Sequence, residues 1–440
     1  MAELRTADVL VVGGGLSGAR ICQLVRELAG EARIVLVGEE PDLPYDRPPL
    51  TSSPDSDTDL ADTMQIDVRD LADDVHPGVV ARGLEPVPGG WRVLVAGRSG
   101  RQWTIDARAV VAATGAAPVV PAGWEMEVLH TRPQAQHLWR RVAAGSRLLV
   151  VGGGWIGCEV AWSAARRGAQ VQLLEAAYQL LPGRLPAEVS GRISELLAAQ
   201  GVSLTLSTPV QQARLTDGGA EVRAGGRRYD ADVVLAALGV RPASGWMPEG
   251  LARSAAGAVL TDPWGRTAEP GLFAVGDVAA RWSPRAAAHL PGGHWTEAFN
   301  APASVAVAVA GWLRDGGTSW WSRDVPEPAE DAVPYIFSDL EPHRLLLVGD
   351  AGPTSPGAGG AQPEVVWREE TAHGPAWTAY VIDRVDGVAR LRAACAWDRP
   401  RDGVAARRAI RQSPNGRPVV DPDALADPSA GPAQCFPAPK

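Results

Sequence analysis

Cysteine is scarce: only Cys22, Cys158, Cys395 and Cys435 occur in 440 residues, and no two of them form a CxxC or similar pair. That spacing excludes chemistry between adjacent redox thiols and offers zinc no ligand set, so no metal is expected. Long hydrophobic runs are also missing. No stretch reaches the roughly eighteen apolar residues of a membrane span, and the first strand pattern begins by Asp8, leaving no room for a signal peptide. A cytoplasmic protein with no membrane partner is the expectation. A net charge of −9 argues against nucleic acid as a partner. With 45% hydrophobic residues, the chain has the length and apolar content for roughly two to three domains. Most of its sixteen tryptophans are read as packing residues, and one is singled out below.

What is present is glycine in a pattern, twice. Gly13-Gly14-Gly15-Leu16-Ser17-Gly18 and Gly152-Gly153-Gly154-Trp155-Ile156-Gly157 each follow a strand-like apolar run, Asp8 to Val12 and Arg147 to Val151, and each opens a helix pattern. In that context the glycines let the backbone approach a pyrophosphate and the helix offers it N-terminal amides. One copy alone is often an ordinary glycine-rich turn. Two copies with strand before, helix after and acid downstream point to two bound dinucleotides.

The acids follow from how an adenosine ribose is held, by a carboxylate ending the second strand about twenty residues on. Glu175 closes the strand pattern Ala169 to Leu174 and is followed by Ala176 and Ala177, with no basic pair for a 2′-phosphate. The second site is therefore expected to prefer NADH to NADPH. In the first unit the strand is Arg33 to Val37, and Glu39, displaced by Gly38, is the ribose candidate.

Around these fingerprints, strand and helix patterns alternate from Asp8 to Ala113-Thr114-Gly115, and again from Arg147 to Ala237-Leu238-Gly239. Leu272 to Asp277 and an Ala/Val-rich helix over 298–313 return the chain to the first unit. The fold class is therefore α/β: two Rossmann-like dinucleotide-binding domains, the second inserted in the first, plus a C-terminal α+β domain. The expected boundaries are 1–117 with 242–322, then 118–241, then 331–412. Residues 323–333 read as a linker and 351–363 as a mobile loop. Strands are expected within Tyr335 to Val348 and Trp377 to Ala396, and a helix from Arg401 to Gln412. Seven prolines from Pro414 onward predict a poorly ordered tail over 413–440.

At this point the residues resemble a known family, the FAD- and NADH-dependent ferredoxin reductases of oxygenase systems, whose relatives include rubredoxin reductases and apoptosis-inducing factor. The resemblance runs over roughly residues 7–412 and rests on Leu43 to Leu50 (LPYDRPPL), Ala113-Thr114-Gly115, Gly152 to Glu159, Gly239 to Pro242, Ala274 to Ala279, His294-Trp295-Thr296, Val333 to Tyr335 with Ser338-Asp339, and Arg399 to Asp402 with Ala406 to Arg408. It implies a glutathione-reductase-like fold, FAD in the first fingerprint and NADH in the second. It implies that Gly13, Gly15 and Gly18 approach the FAD pyrophosphate, that Asp277 after Gly276 accepts from the ribityl chain, and that Thr114 and Gly115 pass close to the cofactor. Arg47 is either near the pyrophosphate or a surface arginine capping a turn. Glu159 matches a glutamate near the nicotinamide; the alternative is a solvated acid in the first helical turn. Trp295, followed by Thr296, matches an aromatic beside the flavin, fencing it or leading to an iron–sulfur partner, against plain core packing. Glu159 and Trp295 are thus the catalytic candidates.

The chain departs from the family pattern in three regions. A lysine of the family stands where this chain has Ser52, Glu297 and Pro302 alter the helix after Trp295, and the family's arginine near the NAD phosphates is displaced to Arg184 behind Gly183. The expected function is an oxidoreductase passing electrons from NADH to a ferredoxin-like iron–sulfur protein. The alternative is an FAD enzyme acting directly on a small-molecule substrate in a specialised pathway, and a third reading is a redox-responsive interaction protein. Oligomeric state is not legible.

Overall fold

The computed structural model describes residues 4–52, 64–317, 333–352, 363–370, 376–413 and 415–436. These form two compact units. The described residues of 1–47, 56–117 and 240–332 build the first, and those of 48–55, 118–239 and 333–440 the second. The expected linker lies almost wholly outside the described residues, as does most of the 351–363 loop.

The first unit is organised by a seven-stranded sheet. Leu4–Val12 lies at its centre, parallel to Ile34–Gly38 on one side and to Gln102–Ala112 on the other. The run Val9-Leu10-Val11-Val12 is apolar at every position because both faces are covered. Val9 and Val11 pack with Ile21, Val25, Val305 and Val309 of the helices Leu16–Leu28 and Pro302–Arg314. Leu10 and Val12 face the other way, among Trp91, Val93 and Ile105. Each pair two residues apart shares a face, as the strand period requires. Leu272–Ala274 joins the sheet beside Gln102–Ala112, which returns the late segment to the first unit. The single helix expected over 298–313 is two, Trp295–Asn300 and Pro302–Arg314. Pro302 is the first residue of the second, where its missing N–H costs no bond.

The second unit carries its own parallel sheet, ordered Ser203–Thr205, Gln170–Leu174, Arg147–Val151, Val233–Ala236, Glu127–Val128. The helix Trp155–Arg166 follows the central strand directly. Its C-terminal part is a five-stranded antiparallel sheet, ordered Tyr335–Leu340, His343–Gly349, Val388–Trp397, Ala376–Val385, Glu364–Glu370. The last strand gave no usable pattern in the sequence. The architecture is α/β with two Rossmann-like units, the second inserted in the first, plus the C-terminal α+β portion. The inserted portion and the C-terminal portion belong to the same compact unit: Trp162 on Trp155–Arg166 donates from Nε1 to Glu341 O at 3.0 Å.

The tail departs from expectation. Residues 415–436 cover the C-terminal sheet, and Val420, Leu425 and Cys435 join its core. Pro422 and Pro432 start the short helices Pro422–Ala426 and Pro432–Cys435. Proline there is a helix start signal rather than a mark of disorder. No helix of the described residues is long and apolar enough to cross a membrane.

Candidate functional site

Both glycine fingerprints have the same geometry, each within its own unit. Gly13 and Gly152 take φ of +127° and +110°, and a Cβ on them would meet Ala113 O at 2.1 Å and Ala237 O at 2.3 Å. A Cβ on Gly18 or Gly157 would lie 2.0 Å from the carbonyl oxygen of Gly13 or Gly152. Four glycines are therefore demanded by the protein's own backbone. Gly15 and Gly154 are different: each immediately precedes a helix, and a Cβ there would find no protein atom within 4 Å. The open space lies over helix N-terminal amides, which is where a pyrophosphate would be held. This donor set fits a dinucleotide in both places.

In the first unit Leu16 packs against the core, and Ser17 Oγ donates to Ala298 O at 2.9 Å, tying the cradle to Trp295–Asn300. A Cβ on Gly14 would lie 3.5 Å from Gly38 Cα, so Gly38 makes room for the loop and displaces Glu39 by one residue. Glu39 follows the strand end and is exposed. Glu40, which sequence reasoning passed over, accepts from Arg47 at 2.6 Å and from the Tyr45 hydroxyl at 2.5 Å. Thr114 Oγ1 donates to Ala243 O at 2.8 Å and Gly115 has φ of +66°. Gly276, at φ +73°, leads into Asp277. Burial raises the Asp277 carboxyl, opposed by the Arg47 charge and by the Gly293 N–H, while Glu297 adds to the rise.

Trp295 donates from Nε1 to Asp46 Oδ1 at 2.9 Å, and its ring stacks on Phe299 with centroids 5.0 Å apart. Burial raises the Asp46 carboxyl, and the Trp295 bond draws it back. Thr296, like Trp295, is half-buried on a helix with no buried residue, so this helix presents side chains rather than filling a core. Glu297 is not an unmatched charge: the Arg281 guanidinium reaches its Oε1 at 3.1 Å.

In the second unit Glu175 accepts from Gly153 N at 2.6 Å and Ala177 N at 2.7 Å, which aims the carboxylate at the cradle. Trp155 begins the helix, and its buried Nε1 finds no acceptor among the described residues. Ile156 is exposed, Gly239 takes φ +90°, and Arg184 is exposed. Glu159 follows on the same helix. Its Oε2 accepts from Thr51 Oγ1 at 2.8 Å and its Oε1 from Ser338 Oγ at 2.6 Å. Burial lifts this carboxyl from 4.5 to about 7, against the two hydroxyl bonds and with a further push from Asp339. No cation is among these influences. Ser52 is half-buried, with Oγ 3.5 Å from Pro49 O.

All four cysteines are free and buried. Among the described residues no group of three or more His, Cys, Asp or Glu is arranged to hold a metal ion.

Residues 7–310 match the family described as pyridine nucleotide-disulphide oxidoreductase. The chain is 31% identical over 443 residues to the ferredoxin reductase component of chlorobenzene dioxygenase from Cupriavidus sp. (strain PS12), covering 95% of each chain. It is 30% identical over 437 residues to the benzene 1,2-dioxygenase system ferredoxin–NAD(+) reductase subunit of Pseudomonas putida, again covering 95% of each. Among solved structures, the crystal structure of Fdr9 superposes with a TM-score of 0.79 at 33% identity, covering 99% of this chain and 100% of that one. The covalent putidaredoxin reductase–putidaredoxin complex shares the fold, with a TM-score of 0.77 at 23% identity and 97% coverage of both chains.

Proposed function

Because this chain belongs to the pyridine nucleotide-disulphide oxidoreductase family, within the group of dioxygenase-system ferredoxin reductases, we propose that it takes hydride from NADH onto FAD and passes electrons to a ferredoxin-type iron–sulfur protein of an oxygenase system. The observation that carries this reading is the duplicated cradle, with its open space over Gly15 and Gly154. Bound FAD supplies a two-electron acceptor for hydride and a one-electron donor for an iron–sulfur centre. The absence of an adjacent cysteine pair fits this use, since no electron needs to pass through a disulfide.

In the first unit the amides after Gly15 hold the FAD pyrophosphate, Glu39 the adenosine ribose, and Asp277 the ribityl hydroxyls, for which a carboxylate is a suitable acceptor. Arg47 balances the phosphates and the Asp277 charge. Thr114 and Gly115 shape the wall of the pocket. Trp295, fixed by Asp46, and Thr296 orient the ring system. In the second unit Gly152, Gly154 and Gly157 receive the NADH pyrophosphate, with Trp155 and Ile156 in the first turn, Glu175 on the ribose and Gly239 closing the loop. Glu159 is the acid assigned to the nicotinamide end. A carboxylate at Glu175 with alanines behind it repels a 2′-phosphate, so NADH is preferred to NADPH. A cytoplasmic location goes with this reading, because NADH is a cytoplasmic reductant and the thiols are unpaired.

Anaerobic titration of the yellow protein with NADH, followed at the flavin absorption bands, tests the donor. Adding an oxidised ferredoxin and cytochrome c then tests the acceptor. Bleaching by NADH, slower bleaching by NADPH and ferredoxin-dependent cytochrome reduction are expected. Flavin that stays oxidised overturns the reading. Bleaching without transfer to any ferredoxin moves the function to a small-molecule acceptor.

A further inference from the structure

Thr51, Glu159 and Ser338 all belong to the second unit, and their hydrogen bonds are not symmetric. Ser338 Oγ reaches Glu159 Oε1 at 2.6 Å. Thr51 Oγ1 lies 2.8 Å from Glu159 Oε2 and 3.0 Å from Pro48 O. A hydroxyl has one hydrogen and two lone pairs, so Thr51 donates to only one of these acceptors at a time. With Glu159 ionised, the Thr51 hydrogen points to Oε2. With Glu159 protonated at Oε2, the acid donates to Thr51 Oγ1, and the Thr51 hydrogen turns to Pro48 O. Either protonation state leaves Thr51 Oγ1 and Glu159 Oε2 hydrogen-bonded to each other. A cation in the same place is a donor only and would favour the ionised form alone.

We propose that Thr51 is a two-position hydroxyl switch that lets Glu159 take up a proton at Oε2 when NADH binds at the second fingerprint; this rests on that fingerprint being the NADH site. Glu159 is four residues along the helix from Trp155, about 6 Å along the axis from the amides that receive the pyrophosphate. Negative charge arriving there disfavours a carboxylate. The other ionisable groups of the packed elements do not offset it. On the strand Tyr335–Leu340, Asp339 is held by Arg344 and Tyr335 lies under Arg407. On its own helix the neighbour is the buried thiol of Cys158, and the turn Pro48–Thr51 carries no ionisable side chain. Beyond the cradle, Glu175 is fixed by two amides. Burial already holds Glu159 at about 7, so it is balanced between its two states at neutral pH. By linkage, NADH affinity falls as pH rises through that midpoint.

The test uses the FAD-loaded full chain and 1,4,5,6-tetrahydro-NADH, which binds without giving up hydride. Calorimetry at pH 7 in two buffers of different ionisation enthalpy counts the protons taken up, and difference infrared spectroscopy of the carboxylic acid stretch titrates Glu159 directly. The wild type takes up a fraction of a proton on binding. E159Q takes up none. T51V, which removes the donor to the ionised form, moves the Glu159 midpoint upward by about one unit, and T51S restores the wild-type profile. An E159Q variant with unchanged proton uptake, or a T51V midpoint that does not move, overturns the switch. If the analogue does not bind at all, the NADH reading fails, and the infrared titration of T51V against T51S still decides the switch.

Discussion

Glu159 shows how one half-buried side chain sets a pH dependence for the whole fold. Its carboxyl is raised from 4.5 to about 7, chiefly by burial. The folded state therefore binds more protons than the unfolded state across that window, so stability falls as pH rises from about 4.5 to 7 and stays lowered above it. E159Q keeps the protonated hydrogen-bond pattern, with its amide donating to Thr51 and its carbonyl accepting from Ser338. The variant should equal the wild type near pH 4.5 and exceed it by roughly 1–3 kcal/mol at pH 8, read from urea unfolding at both pH values. A constant difference across pH would show that Glu159 is not the titrating group. The neighbouring Ser52 belongs to the same balance. The chain's single lysine is Lys440 among 42 basic residues, yet position 52 carries serine rather than the arginine that serves elsewhere. S52K puts an ammonium one residue from Thr51 and should pull the Glu159 midpoint well below neutral. The checks are the infrared midpoint and the rate of flavin reduction by NADH. A faster rate marks missing charge as limiting, and an unchanged rate removes charge at position 52 from the account of turnover.

At the scale of elements, the two strand–loop–helix cradles separate glycines that fold the loop from glycines that admit a ligand. G18A and G157A each force a Cβ to 2.0 Å from a backbone carbonyl. Backbone cannot yield as a flexible side chain would, so these variants should lose several kcal/mol, of the order seen for overpacked cores, or fail to fold. G15A and G154A meet no protein atom within 4 Å and should keep the wild-type thermal midpoint within a few degrees. G15A should lose FAD on gel filtration, and G154A should keep its yellow colour while its NADH affinity drops at least tenfold. Equal behaviour of all four would refute the distinction. The cradles were legible in sequence because their parts are local: strand, loop, helix and the acid Glu175 lie within one βαβ unit, and Glu175 reaches Gly153 across 22 residues. The support around them was not. Thr51 meets Glu159 across 108 residues, Ser338 across 179, and Trp295 meets Asp46 across 249. No periodicity or spacing rule spans such separations, so only the folded chain pairs them. Glu297 was legible as a charge but not as a pair, because Arg281 comes from a different element.

For the whole molecule, composition misread the C-terminus. Prolines after residue 413 look like disorder when counted, yet two of them start helices, and one buried side chain hydrogen-bonds to three residues of the segment. Arg368 donates from Nε to Leu425 O at 2.8 Å and from Nη2 to Ala424 O at 2.8 Å and Cys435 Sγ at 2.9 Å, while Nη1 reaches Asp402. Asp402 does not depend on this arginine alone, since Thr378 Oγ1 and Arg399 Nε also donate to it. Replacing Arg368 with methionine therefore removes the tail's three donors without leaving a bare buried carboxylate, and it keeps an apolar stem of similar length. R368M should release the tail while the sheet beneath stays folded. Val420 and Leu425 would then meet water, a loss of roughly 3–6 kcal/mol for two buried aliphatic side chains. Cysteine reactivity distinguishes release of the tail from general unfolding. Cys22 and Cys395 lie in cores where burial pushes their thiols up to about 12, and Cys435 is also buried, but on the tail itself. A thiol reagent should label none of these rapidly in the wild type and Cys435 alone in R368M, identified by peptide mass. Deleting residues 414–440 should lower the urea midpoint by a similar amount without exposing a thiol. If R368M leaves Cys435 protected, the tail is held by its apolar contacts and the arginine is not its anchor. If Cys395 reacts together with Cys435 while Cys22 stays protected, the C-terminal sheet and its tail unfold as one unit.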